Sequence, residues 1–331
     1  MIITKTPFRI SFFGGGTDLN AWFRNNGGAV ISTTIDKFCY VTCRKLPKFF
    51  DYDHRFVYSK VEEVNKISEI SHPAIKGILN YLNWNKGIEL HYHGDLPARS
   101  GLGSSSSFTV GMLNCLAALE GKHMSKFELA STAIKIEQEI LMENVGLQDQ
   151  IAASYGGFNK IEFYNENAFK VTPIILSAER LNELQDNLLL FFTGISRFAS
   201  EIEKSKIDIL HTKNIELSKM HDMVNISIDI LTNSNINLVD FGLLLNEGWM
   251  YKKSLSNLVS NNEIDSIYNT AMTAGAVGGK ILGAGGGGFI LFYVPKEKQL
   301  NVIKKLEKLT HIPFKFENYG STVALYQPQG L

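Results

Sequence analysis

Along the first thirteen residues, apolar and polar positions alternate closely enough to predict a strand, which the glycines at 14–16 interrupt. Residues 29–44, rich in Val, Ile, Thr and Tyr, predict one or two further strands, and 88–93 and 158–163 predict two more. Helical spacing lies between them. Pro73 opens a helix to about residue 82, stopped by Gly87. The serine run Ser104 to Ser107 starts another, with Val110, Leu113, Leu116 and Ala117 apolar, ending near Gly121. Ser125 and Glu128 make a capping box for a third helix, through about residue 143.

The second half opens on 187–192, which reads as a buried strand. Helical periodicity then runs over 198–231, 238–258 and 264–274. Short strands at 280–282 and 289–294 flank a last glycine run; a helix over 297–309 and strands over 314–317 and 322–326 close the chain. Strands and helices mixed throughout predict an α+β protein. At 331 residues two domains are expected, 1–180 and 181–331.

Charge narrows the partners. Lysine plus arginine and aspartate plus glutamate each total 33, so no general attraction to nucleic acid is expected and any charge effect must be local. Cys39, Cys43 and Cys115 form no paired framework, and an odd count fits a reducing compartment. The N-terminus, carrying Lys5 and Arg9, does not read as a signal peptide, and no apolar stretch approaches the ~20 residues that span a bilayer. The expectation is a cytoplasmic protein without membrane association.

Three glycine-rich segments carry the candidate chemistry: Gly14-Gly15-Gly16-Thr17-Asp18, Gly101-Leu102-Gly103 ahead of the serines, and Gly285 to Gly288. Glycine is costly to order, so such runs mark tight turns or close approach of backbone to a ligand. In the middle segment Pro97 ends a strand and the glycines curl the backbone into a helix start. Several N–H groups then converge where a helix dipole of about half a charge favours an anion. Serine hydroxyls add hydrogen bonds or bind a magnesium ion. These features point to a phosphate-handling enzyme.

Weaker signals fall away on spacing. Gly101-x-Gly103-x-x-Ser106 lacks the third glycine of a dinucleotide fingerprint. Gly275 to Lys280 is one residue short of a Walker loop, and Asp240-Phe241-Gly242 has no accompanying kinase motifs. His91 and His93 share a strand face but lack a third ligand at recognisable spacing.

Arg9, on an otherwise apolar strand, either pairs with a carboxylate structurally or serves a charged ligand; both require a partner acid. Asp149 is the leading acid, displayed where Gly146 interrupts an acidic helix, although an aspartate there also suits a helix N-cap. Glu139 and Glu143 read as a solvated face, whereas Glu137 points elsewhere and is the better inward ligand.

In this order the three motifs resemble those of the GHMP kinases. Arg9 and Asp18 match the first, Pro97 to Ser105 the Pro-x-x-x-Gly-Leu-Gly-Ser-Ser phosphate loop, and Lys280 to Gly288 the glycine-rich hairpin. The resemblance implies an N-terminal phosphate-loop domain, a ferredoxin-like C-terminal domain and an active site in the cleft. It implies ATP and Mg2+, with Pro97, Ser100, Gly101, Leu102, Gly103, Ser104, Ser105 and Ser106 at the nucleotide and Ser105 and Glu137 at the metal. Asp149 and Arg9 would be catalytic. Gly15, Gly16, Thr17, Asp18, Gly285 and Gly286 would face the substrate. The stretch Arg9 to Asp18 and Thr193 to Arg197 look most like bacterial sugar 1-kinases, particularly those of heptose 7-phosphate, which implies a small sugar phosphate as substrate. Arg197 is the first candidate for its phosphate, ahead of Lys5, Arg24 and Arg99. Other sugar 1-kinases, such as a fucokinase or an N-acetylhexosamine kinase, and a silent sugar-binding relative are the competing readings. The last would be expected to lack Asp149 or Arg9.

Overall fold

The computed structural model describes residues 1–165, 168–195 and 212–329. Arg197 therefore lies outside the described residues.

Two long antiparallel strands form the spine, β1 (Ile2–Phe13) and β2 (Gly28–Lys45). Residues 29–44 are thus one strand, because β2 takes a different partner along each part of its length. Its start pairs with β6 (Phe158–Phe163), its middle with β12 (Phe316–Glu317) and its end with β5 (Ile88–Gly94). β3 (His54–Val57) and β4 (Val61–Val64) extend the β5 edge, and β7 (Phe169–Pro173) lies outside β6. Helix α3 (Ser104–Leu119) packs on β1 and β2 and is buried almost all round, which is why its apolar residues do not form a single stripe.

The second sheet holds β8 (Leu188–Phe192), β9 (Gly278–Ile281), β10 (Phe289–Tyr293) and β11 (Thr310–His311). All its pairings are antiparallel, and the first strand lies between the fourth and third. Helices join β8 to β9 and β10 to β11, so the order is that of a ferredoxin-like unit. The chain then returns to the first sheet, where β13 (Thr322–Tyr326) pairs with β1. A division at residue 180 puts β12 and β13 in the second half by sequence; their hydrogen bonds place them with the first.

Several elements differ from the sequence expectation. The capping box at Ser125 does start a helix, but regular turns stop at Lys135 and a wider π-type turn, Ile136–Ile140, follows. The hairpin β3–β4 and helices Asn20–Asn26 and Ala178–Asp186 carry too few buried apolar residues to announce themselves. The fold also brings Cys43 of β2 beside Cys115 of α3, sulfurs 2.8 Å apart in the core, a proximity their separation in sequence does not betray.

Candidate active site

Alternation along β1 puts Arg9 and Ser11 on one face, and both line a cavity of about 350 Å³. Its other walls come from the first glycine turn, the start of α3, the segment 143–149, Lys252 and Lys280, and Gly283 and Ala284.

Arg9, only 4% exposed, is the centre of this arrangement. Its Nε donates to Asp149 Oδ1 and its Nη2 to Oδ2, both at 2.8 Å, while Nη1 donates to the Gly101 carbonyl at 2.7 Å. One guanidinium thus joins the acid to the phosphate loop, and the two parallel bonds fix both orientation and charge. Asp149 lies in the first turn of the helix Gln148–Tyr155 and keeps 28% of its side chain accessible from the cavity. Gln148 braces it: Ser11 Oγ donates to Gln148 Oε1 at 2.5 Å, and Gln148 Nε2 donates to Asp149 Oδ1 at 3.3 Å.

The middle glycine segment is shaped as an anion site. Gly103 precedes α3 in the left-handed region and gives it no side-chain cap, leaving the first-turn N–H groups beside the cavity wall formed by Gly103, Ser104, Ser105 and Ser106. Ser104 Oγ accepts from the Arg99 N–H at 3.1 Å, and Ser100 Oγ donates to the Pro97 carbonyl at 2.6 Å. Gly101 has φ +86°, and a Cβ there would lie 2.4 Å from the Leu282 carbonyl oxygen. Bare backbone is required here because the phosphate loop and the third glycine segment meet chain against chain.

Glu137 is fully buried on the π-type turn, which swings it inward behind the serines. Burial pushes its carboxyl up to about 7, opposed by the nearby Thr109 and Ser106 hydroxyls and the Gln150 amide, with the charge of Glu143 adding to the rise. Its Oε2 accepts from Ser106 Oγ at 2.8 Å and from Gln150; its Oε1 has no hydrogen-bond partner among the described residues. The hydroxyl on Glu137 is therefore that of Ser106, whereas Ser105 is exposed on the cavity wall. Glu143, expected on a solvated face, also lines the cavity; burial raises its carboxyl and the charge of Arg99 opposes this.

Other expected residues stand apart from the cavity wall. Thr17 is buried, donating to the Gly14 and Ala29 carbonyls and latching its own turn. Gly285 packs on Val259 and the Gly286 N–H donates to the Val259 carbonyl, so Gly283 and Ala284 take the place at the cavity. Pro97, Ser100 and Leu102 shape the loop from behind. Gly15, Gly16 and Asp18 do line it, with Asp18 Oδ1 accepting from the Gly16 N–H at 2.9 Å.

The model for the GHMP kinases N terminal domain matches residues 66–157, which include the phosphate loop, Glu137 and Asp149, and that for GHMP kinases C terminal matches 233–310. The chain is a GHMP kinase. It is 35% identical over 319 residues to a D-glycero-alpha-D-manno-heptose 7-phosphate kinase of Campylobacter jejuni, covering 93% of each chain, and 25% identical to a galactokinase of Pyrococcus furiosus, covering 90% of each. A crystal structure of a D-glycero-D-manno-heptose 1-phosphate kinase from Bacteroides thetaiotaomicron superposes with a TM-score of 0.80 at 23% identity, covering 99% of this chain and all of the other, and shows the shared fold. This kinase is accordingly an ATP-dependent phosphotransferase with an alcohol acceptor. Among its described residues, no helix is long and apolar enough to cross a membrane.

Among the cavity's charged residues, Lys252 carried no expectation from the sequence, and Lys280 was placed only at the head of the glycine-rich hairpin, with no role of its own. Lys252 sits in the helix Val239–Ser254 and donates to the carbonyls of Ile281 and Gly283 at 2.8 and 2.5 Å. Lys280 donates to the Phe12 carbonyl at 2.6 Å. Lysines are seldom this buried, and helical periodicity alone does not mark one that is.

Proposed function

We propose that this kinase transfers the γ-phosphoryl group of ATP to the anomeric hydroxyl of D-glycero-D-manno-heptose 7-phosphate, forming the 1,7-bisphosphate for nucleotide-activated heptose synthesis. The observation that carries the reading is the Arg9–Asp149 pair held against the phosphate loop on the wall of one cavity. The similarity to the Campylobacter heptose 7-phosphate kinase supports the choice of sugar.

Phosphoryl transfer asks a protein mainly to align two reactants and neutralise phosphate charge. The uncapped N–H groups at the start of α3 suit the ATP phosphates, with Ser104 and Ser105 adding hydroxyls. Asp149 accepts a hydrogen bond from the anomeric hydroxyl, orients its oxygen and takes its proton late in the transfer. Each oxygen already accepts from Arg9 and retains a further lone pair for that contact. Arg9 uses three of its five N–H donors on Asp149 and Gly101, and the other two are available to charge developing on the transferred group.

The donors also suit a magnesium ion, since the buried Glu137 Oε1 lacks a hydrogen-bond partner and its neighbours are hydroxyl oxygens. Glu137, Ser105 and Ser106 would hold the ion, which when bound neutralises phosphate charge. We assign residues 1–180 to the phosphate-loop domain and 181–331 to the other, with β12 and β13 returning across the boundary. Incubation with Mg-ATP and a panel of free and phosphorylated sugars tests the reading. A heptose 7-phosphate should be the preferred acceptor, and preference for fucose or an N-acetylhexosamine would replace it.

A further inference from the structure

We propose that Lys280 holds the phosphate that the acceptor sugar already carries; this rests on the heptose 7-phosphate reading above. Such a phosphate brings about −1.5 to −2 charge into the cavity and needs a cation fixed away from those serving phosphoryl transfer. The cations among the described cavity residues are Arg9, Arg99, Lys252 and Lys280. Arg9 is committed to Asp149 and the phosphate loop. Arg99 belongs to that loop, beside Glu143. Lys252 is bonded to the Gly283 carbonyl, and Gly283 packs directly on Gly101. These three cluster at the transfer end.

Lys280 is placed differently. Its ammonium is anchored at the Phe12 carbonyl, three residues along β1 from Arg9, which is roughly 10 Å at the rise of a strand. A seven-carbon sugar lying along β1, with its anomeric hydroxyl at Asp149, spans that separation to its terminal phosphate. Ser11, Gly15 and Gly16 line the cavity over the same stretch and leave space with hydrogen-bonding groups for the sugar ring. Lys280 is 6% exposed, so an ionic contact made there is weakly screened. Asp18 lines this stretch too, and its Oδ1 accepts from the Gly16 N–H.

The competing role is structural: Lys280 ties β9 to β1, and its loss would then impair turnover of every acceptor alike. The test measures kcat/KM for heptose 7-phosphate and for the unphosphorylated heptose at saturating Mg-ATP in the wild type, Lys280→Met and Lys280→Arg. Lys280→Met should lower the preference for the phosphorylated sugar about tenfold or more, as loss of a charge-assisted contact does, and Lys280→Arg should restore most of it. An unchanged ratio in Lys280→Met overturns the inference while the heptose 7-phosphate reading stands. A wild type that prefers the free sugar removes that reading and the inference with it. Should Lys280→Met fail to fold, Lys280→Gln, which keeps an N–H donor for the Phe12 carbonyl but removes the charge, is measured in its place; it should lower the preference for the phosphorylated sugar in the same way, and an unchanged ratio overturns the inference.

Discussion

Arg9 and Asp149 face each other as fork and carboxylate, Nε to Oδ1 and Nη2 to Oδ2, both at 2.8 Å, although 139 residues separate them in the chain. The pair makes Asp149 a fixed acceptor with one orientation. Asp149→Asn keeps the shape but removes the charge and half of the accepting capacity. Turnover should fall about 10²-fold or more, with nucleotide affinity nearly intact. Near-normal turnover, read in a steady-state assay beside a nucleotide titration, would return Asp149 to a purely structural role in its helix.

Magnesium dependence tests the buried acid. Glu137→Gln and Ser105→Ala should each raise the magnesium concentration needed for half-maximal rate, since each removes an oxygen ligand or its charge. Ser106→Ala frees Glu137 Oε2 from its hydroxyl donor and should shift the same titration. Variants that titrate like the parent would place the ion elsewhere.

Gly101→Ala should damage the site through backbone alone. The added methyl would lie 2.4 Å from the Leu282 carbonyl oxygen, at a φ of +86° that costs a non-glycine residue about 1–2 kcal/mol. The expected result is weaker ATP binding together with a lower melting temperature. Calorimetry that leaves both unchanged would contradict the contact between the two glycine segments.

A cluster on the first sheet predicts a pH signature. Burial alone would raise the Glu89 carboxyl, but hydrogen bonds from His91, Arg55 and Arg44 outweigh it and hold the group at about 2. The folded value lies below the unfolded one, so this stabilisation is fully present above the ordinary carboxylate range. It fades as pH falls towards about 2. Wild type should therefore melt above Glu89→Gln at neutral pH, and the gap should close on acidification. A gap independent of pH would exclude ionisation as its source.

Much of this site was legible because its chemistry is written in short range. The glycines and serines around residue 101 announce a bent backbone opening a helix, and Gly146 before Asp149 announces a displayed acid. The inward turn of Glu137 followed from its place on the helix, although the π-type turn that produces it did not. What spacing could not supply was long-range register. Ser106 rather than Ser105 meets Glu137 because of how α3 is rotated on the sheet. Gly283 and Ala284 reach the cavity because Gly285 and Gly286 are drawn towards Val259. Lys252 gives no sign in the sequence of its burial, and Lys280, at the head of the glycine-rich hairpin, meets the cavity only once the second sheet is folded against β1.

The most direct measurement is the identity of the product. Heptose 7-phosphate incubated with the enzyme and Mg-ATP, followed by phosphorus NMR, should show a second phosphate coupled to the anomeric proton, with one ADP formed per bisphosphate. Transfer to a different hydroxyl, or faster consumption of ATP with an unphosphorylated hexose than with heptose 7-phosphate, would contradict the account.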